Sequence, residues 1–272
     1  MPIVLVLQAT LVSMQIPVYQ VDAFSDHVFA GNPAAICPLA SWLADEQMQA
    51  IAAENNLAET AFFVPEGAGY RLRWFTPVTE VDLCGHATLA SAYVVFRHLA
   101  PGLERVSFQT LSGELIVSRS GDRLSMDFPS RPPVAVEPHS LLVSALGGAP
   151  REVLAARDYF VVYDSEEQVR ALKPDMARLA EVKRFATIVT APGRDCDFVS
   201  RFFAPAQGVP EDPVTGSAHC TLIPYWSCRL GKTHLFARQV SPRGGELWCE
   251  DAGDRVLISG HAVEFLSGTI TL

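Results

Sequence analysis

The sequence predicts an α+β fold made of two pseudo-symmetric halves, each a curled β-sheet or barrel wrapped round one central helix. Three observations carry this prediction. First, Leu83-Cys84-Gly85-His86-Ala87-Thr88-Leu89-Ala90-Ser91-Ala92 opens a helix with glycine and small polar residues. Beyond that opening the helix is apolar nearly all round (Leu89, Ala90, Ala92, Tyr93, Val94, Val95, Phe96), the pattern of a helix buried on every side. Second, the phrase returns as Asp212-Pro213-Val214-Thr215-Gly216-Ser217-Ala218-His219-Cys220, and each copy follows an aromatic strand ending in proline, 73–77 and then 201–205. Third, landmarks recur in one order. Met48, Ala58 and Pro77 match Met176, Ala186 and Pro205 at an offset of 128, Gly85 matches Gly216 at 131, and Gly113 and Gly121 match Gly245 and Gly253 at 132. A half-chain duplication explains that order; solenoid periods are far shorter.

Taken in order, residues 15–24 alternate and are rich in β-branched side chains, which predicts a first strand, and 32–37 follow as a second after a turn. Ser41 is the predicted N-cap of a helix running to about Asn55, with Ala44, Met48, Ile51 and Ala52 on one apolar face. Strands are predicted at 59–64 and 70–75, then the first glycine-led helix from about His86. A hairpin follows, 114–119 and 123–128 about a Ser120-Gly121-Asp122 turn, and the second half repeats the order. Pro224, well inside the second helix, should kink or end it. The prolines of 129–133 mark the linker, giving domains at 14–128 and 134–272, with the last strand free to return to the first domain. Residues 1–13 contain no lysine or arginine and read as an extension rather than a secretory signal, with Met14 starting the folded chain.

A chain of 272 residues is long enough for two domains, each with its own core. Its 49% hydrophobic and 19% charged content is ordinary for a soluble protein, and its cysteines read as reduced cytosolic thiols, so a cytoplasmic location is expected. A net charge of −9 without a basic cluster argues against nucleic-acid binding. The early apolar run 3–7 is too short to span a membrane. Cys37, Cys84, Cys196, Cys220, Cys228 and Cys249 form no CxxC pair and read as reduced thiols. The cysteines and histidines show no zinc-ligand spacing, and no His-Glu-x-x-His, Walker loop or Rossmann fingerprint occurs. No metal and no cofactor are expected.

Three motifs occur together: Asn56-Leu57-Ala58-Glu59-Thr60-Ala61-Phe62, Leu83-Cys84-Gly85-His86-Ala87-Thr88, and Asp212-Pro213-Val214-Thr215-Gly216-Ser217-Ala218. With the opening Tyr19-Gln20-Val21-Asp22-Ala23-Phe24 and Gly31-Asn32-Pro33, the chain from Met14 onward resembles the phenazine-biosynthesis (PhzF-like) isomerase family. That family shares the diaminopimelate epimerase fold. The resemblance implies two barrel-like domains with an active site in the cleft between them, Glu59 as proton shuttle, and His86 and Asp212 helping to bind substrate and assist the transfer. It also implies a homodimer.

The residues have readings of their own. Glu59 starts a strand among apolar neighbours; a carboxylate there is poorly solvated, which suits it to taking up and returning a proton. The alternative is an edge charge facing water. Its counterpart in the repeat is Thr187, so the acid–base group belongs to one half only. His86 at a helix start is expected to stay neutral, since the helix dipole disfavours the imidazolium. Asp212 before a proline and His86 beside a glycine would otherwise be turn or capping residues. Gly85, Gly216 and Ser217 offer backbone and hydroxyl donors at the two helix ends, suited to a substrate carboxylate, or simply cap the helices. Diaminopimelate epimerases use two thiols, and Cys84 has the first place by resemblance. Its partner is Thr215, too weak an acid to replace a thiol, so Cys84 is expected to be a buried packing residue.

The expected function is thus a cofactor-independent isomerase moving a proton on a small carboxylated substrate. The alternative is a protein of the same fold that binds a small acid or a partner and turns over little.

Overall fold

The computed structural model describes residues 13–137 and 139–272. Apart from Ser13, the extension expected at residues 1–13 lies outside the described residues. The first half runs β1 (Gln15–Ala23), β2 (Asn32–Pro38), α1 (Asp45–Asn55), β3 (Glu59–Glu66), β4 (Gly69–Phe75), β5 (Glu80–Val81), α2 (Gly85–Val94), β6 (Arg105–Thr110), β7 (Gly113–Ser120) and β8 (Arg123–Pro129). The second runs β9 (Val134–Ala135), α3 (Ser140–Leu146), β10 (Glu152–Ala155), β11 (Tyr159–Val162), α4 (Glu166–Ala171), α5 (Met176–Leu179), β12 (Thr187–Pro192), β13 (Phe198–Ala204), β14 (Val209–Asp212), α6 (Gly216–Leu230), β15 (His234–Gln239), β16 (Gly245–Asp251), β17 (Arg255–Gly260) and β18 (Ala262–Thr271).

Each half is one curled sheet round its helix, α2 or α6. The first orders its strands β18-β1-β2-β3-β4-β6-β7-β8. The second orders them β9-β10-β11-β12-β13-β15-β16-β17. The same two joins are parallel in both: β2 with β3 and β4 with β6, then β11 with β12 and β13 with β15. The halves are stitched by the antiparallel ladder β8–β17, where Phe128 faces Val256 and Leu124 faces Gly260, a register that maps onto itself when the halves exchange. β9 follows β8 yet pairs with β10, and β18 follows β17 yet pairs with β1. At the repeat offset of 132, β9 is the counterpart of β18 and so closes the first repeat, which means that each repeat lends its last strand to the other.

One contiguous apolar core runs through both halves, with Leu89, Val94 and Phe108 from the first and Leu222, Trp226 and Leu247 from the second. In α2 every residue but Tyr93 is buried, and a π-helical turn, Val95–Leu99, extends it. Among the described residues no helix is long and apolar enough to cross a membrane.

One local expectation is corrected, and of the kink or end expected at Pro224 the end is excluded. The first helix begins at Asp45 with Ala44 as its N-cap, not at Ser41. Trp42 and Leu43 instead pack against the small core of Met48, Ile51 and Phe62, and Asp45 and Glu46 put negative charge in the first turn, where the dipole favours it. Ala44 consequently leaves the buried face that Met48, Ile51 and Ala52 form. Pro224 does not end α6, which continues to Leu230. Proline has no N–H for the Cys220 carbonyl one turn back; Arg131 in the inter-half linker donates its backbone N–H to that oxygen at 2.8 Å instead.

The repeat also explains its own drift. Arg73 grips Glu80 with two hydrogen bonds of 2.7 Å, and Arg201 grips Glu211 with bonds of 2.7 and 2.9 Å. The arginines keep the early offset and the glutamates the later one, so the extra residues lie between them, where Pro205–Gln207 form a 3-10 turn.

Candidate active site

The N-termini of α2 and α6 meet where the halves touch. A Cβ on Gly85 would stand 3.6 Å from the Gly216 Cα, and one on Gly216 would stand 3.7 Å from the Gly85 Cα. The two helix starts therefore lie side by side, and their first-turn N–H groups, which have no intrahelical acceptor, open on one cleft. That cleft measures about 440 Å³ and is lined by Glu59, Cys84, Gly85 and His86 from the first half and by Asp212, Thr215, Gly216 and Ser217 from the second. All six predicted site residues thus share one cavity. A second groove, about 480 Å³, includes Arg170, Arg238 and Arg243 but none of those six. Its arginines are already paired with Glu166, Glu246 and Asp22.

Glu59 is the first residue of β3, and its side chain is 17% exposed, facing the cleft rather than bulk water. Its Oε2 lies 3.1 Å from His86 Nε2. The approach is off the line of a good N–H hydrogen bond, and neither buried atom has another protein partner. On the other side of the ring, His86 Nδ1 is 3.1 Å from Asn32 Nδ2 and 3.5 Å from Cys84 Sγ. The Cys84 thiol can donate to Nδ1, which leaves Nε2 of the neutral ring to carry the hydrogen that faces Glu59.

His86 departs from the neutral ring expected of it. Burial opposes the imidazolium, but Cys84 and Glu59 on either side raise His86 well above its ordinary value. Burial and the Glu59 charge hold the Cys84 thiol up at about 11, so it is uncharged at neutral pH. The Glu59 carboxylate is then the charge that stabilises the imidazolium, and at this distance it outweighs the helix dipole.

Asp212 ends β14 and enters a loop whose polar groups are pinned. Asn32 Nδ2 donates to Asp212 Oδ1 at 2.8 Å and to the Val214 carbonyl at 2.9 Å. Gln239, itself buried, donates to the Asp212 carbonyl and to Thr215 Oγ1 and accepts from the Thr215 N–H. Ser241 holds the Pro213 carbonyl and His219 the Thr215 carbonyl. Thr215, the counterpart of Cys84, has its hydroxyl committed to Asp212. Asn32 is set in turn by Gly31, whose φ of 68° and closeness to the Ala23 carbonyl exclude any side chain. Arg243, from the second half, bonds the Gly31 and Ala30 carbonyls and Asp22.

Sequence reasoning missed Asn32, Gln239 and Arg243 as parts of this arrangement. For Asn32 the signal was present, an Asn-Pro at a strand start just after a glycine; for the other two no local pattern exists. Cys84 is buried as expected, but it also touches His86 and lines the cleft. Ligand atoms of Glu59, Cys84 and His86 lie within 4.8 Å of one another. Cys84 and Glu59 face opposite nitrogens of the ring, however, and a metal ion binds only one, so the three do not converge on an ion.

Burial raises the Asp212 carboxyl from 3.8 to about 6, with His86 lowering it and Glu59 raising it. Between those values the folded protein binds this proton more tightly than the unfolded chain, so stability falls as pH rises through the window. Urea midpoints measured across that range should show the decline in the wild type and a flatter profile in Asp212→Asn. Identical slopes would place the proton elsewhere.

Two curled half-barrels meeting at their helix ends define the epimerase-type fold. A hydroxyproline epimerase from Agrobacterium vitis, solved with bound trans-4-hydroxy-L-proline, has that architecture with a TM-score of 0.57 at 10% identity, covering 95% of this chain and 93% of that one. Within this class the chain belongs to the phenazine biosynthesis-like protein family, whose profile matches residues 21–268, and it is an isomerase of that family. An uncharacterized isomerase of Pseudomonas aeruginosa is 54% identical across 95% of this chain and 100% of its own length. The crystal structure of a PhzF-family phenazine biosynthesis protein from Enterococcus faecalis agrees with a TM-score of 0.94 at 48% identity, covering 95% of this chain and 100% of that one.

Proposed function

We propose that this isomerase shifts a proton on a small carboxylated substrate in the cleft between its halves, with Glu59 as the shuttle and no cofactor. The observation that carries this is the Glu59–His86 pair: two groups 3.1 Å apart, their facing atoms otherwise unpartnered, at the mouth of two opposed helix N-termini. His86 Nε2 faces the Glu59 carboxyl group, which takes the proton from carbon. The substrate carboxylate sits at the N–H groups of Gly85 and Gly216 and at the Ser217 hydroxyl. There the helix ends stabilise the negative charge that develops when the carbon gives up its proton. Asp212, titrating near 6, assists from the opposite wall. Glu59 then returns the proton to a different carbon, so the chemistry balances without an oxidant or reductant. We further propose that the protein works as a homodimer in the cytoplasm.

The test is incubation in deuterated water with a panel of small carboxylic acids, read by mass spectrometry. Deuterium incorporation into one of them is the expected result. Binding without incorporation would instead make this a small-acid-binding protein.

A further inference from the structure

The cleft has one arginine or lysine among its described lining residues, Arg157, set against the carboxyl groups of Glu59, Glu80, Asp82 and Asp212. Its position follows from the repeat. Strand pairing puts Ala34 beside Glu59 in the first half and Tyr159 beside Thr187 in the second. Since Thr187 is the counterpart of Glu59, Arg157 is the counterpart of Asn32. Asn32 crosses to the other half and reaches Asp212 and Val214. The image of that loop opposite Arg157 is 81–83, where Val81 replaces the aspartate and Asp82 is exposed. The same reach that gives Asn32 a carboxylate gives Arg157 none.

Arg157 is nevertheless held in place. Its Nε donates to Asp158 Oδ1 at 3.3 Å, and Asp158 is 4% exposed. Its guanidinium lies 4.2 Å from the centre of the Phe185 ring, a cleft residue that is 45% exposed. Its terminal amino groups have no partner among the described residues. A guanidinium fixed at its inner edge by a carboxylate and on its face by an aromatic ring keeps its outer N–H groups for a planar anion. The helix ends already provide for one carboxylate beside Glu59, and Arg157 lines the same cleft together with Phe185 and Phe202.

We propose that Arg157 determines specificity by binding a second carboxylate on the substrate, which makes the substrate a small dicarboxylic acid. This rests on the reading of the helix ends as the site of the first carboxylate. The test compares trans,trans-muconate with sorbate, two dienoic acids of one carbon skeleton that differ in a terminal carboxylate against a methyl group. Affinities are measured by calorimetry on the wild type, Arg157→Gln and Ser217→Ala. In the wild type muconate should bind about tenfold more tightly than sorbate, the scale of one charge-assisted pair. Arg157→Gln should erase that advantage and leave sorbate unchanged, while Ser217→Ala should weaken both acids alike. Arg157 is on the surface, so a ligand-free melting curve suffices to show that its variant folds. If sorbate binds but the ratio of affinities survives in Arg157→Gln, the Arg157 assignment falls and the helix-end site stands. If neither acid binds the wild type, the helix-end site falls and the Arg157 assignment falls with it.

Discussion

Glu59→Gln is expected to lower turnover by about 10⁴-fold, the upper end of what a general acid–base group contributes, while melting temperature and acid affinity stay close to those of the wild type. Glutamine keeps the shape of the side chain and can still accept from the His86 Nε2–H that faces it. It cannot take a proton from carbon and give it back, so the loss belongs in kcat rather than KM. Cys84→Ala is the informative comparison, because Cys84 touches the opposite nitrogen of the same ring. Its thiol is held up at about 11, and Thr215 stands where a second thiol would be needed. Cys84→Ala should therefore retain most activity on any compound that exchanges hydrogen in the cleft. An inactive Cys84→Ala beside an active Glu59→Gln would replace the shuttle with a one-thiol mechanism.

What was legible in the chain is what local pattern encodes. Alternation of β-branched residues marked β1, the Ser120-Gly121-Asp122 turn marked the β7–β8 hairpin, and a helix apolar on all sides marked α2. The half-chain repeat added the pseudo-symmetry, because duplicated glycines must serve duplicated geometry. The repeat matched Gly85 with Gly216 at the starts of the two central helices, and the structure brings these two residues side by side. The rest is non-local. The exchange of β9 and β18 depends on which edge is open, and neither strand's sequence differs from a strand that stays in its own half. Asn32 to Asp212 and Arg243 to Gly31 are contacts between residues far apart in the chain, invisible to any window. His86 shows the same limit in electrostatic form. Its own helix predicts a neutral ring, and a carboxylate from another strand reverses that. Ser41 was misread because a good capping residue is an option rather than an obligation; the packing of Trp42 and Leu43 decided the start of α1.

The duplicated Arg–Glu grips allow the repeat to be tested on stability. Arg201→Met should destabilise the protein by about 3–5 kcal/mol, the usual result of removing one member of a buried ion pair. The arginine side chain is 11% exposed and that of Glu211 is 16% exposed, so methionine leaves a carboxylate shut away from most solvent without its partner. The Val169 and Leu172 carbonyls lose their donor in the same step. Glu211 directly precedes Asp212, so the loop into α6 loosens and the acid affinity of the cleft should fall as well. Arg73→Met is the matched change in the first half. There the side chains are 20% and 27% exposed, water can replace the lost partner, and no backbone carbonyl depends on the arginine's other nitrogen, which meets Asp45 at the surface. A loss well below that of Arg201→Met is expected, with acid affinity changed little. Chemical denaturation of both variants, with Glu211→Gln to separate the loss of the charge pair from the loss of the carbonyl donors, reads the difference directly. Equal losses in the two halves would mean that burial does not set the strength of the grip, and that the symmetry of the fold extends to its energetics.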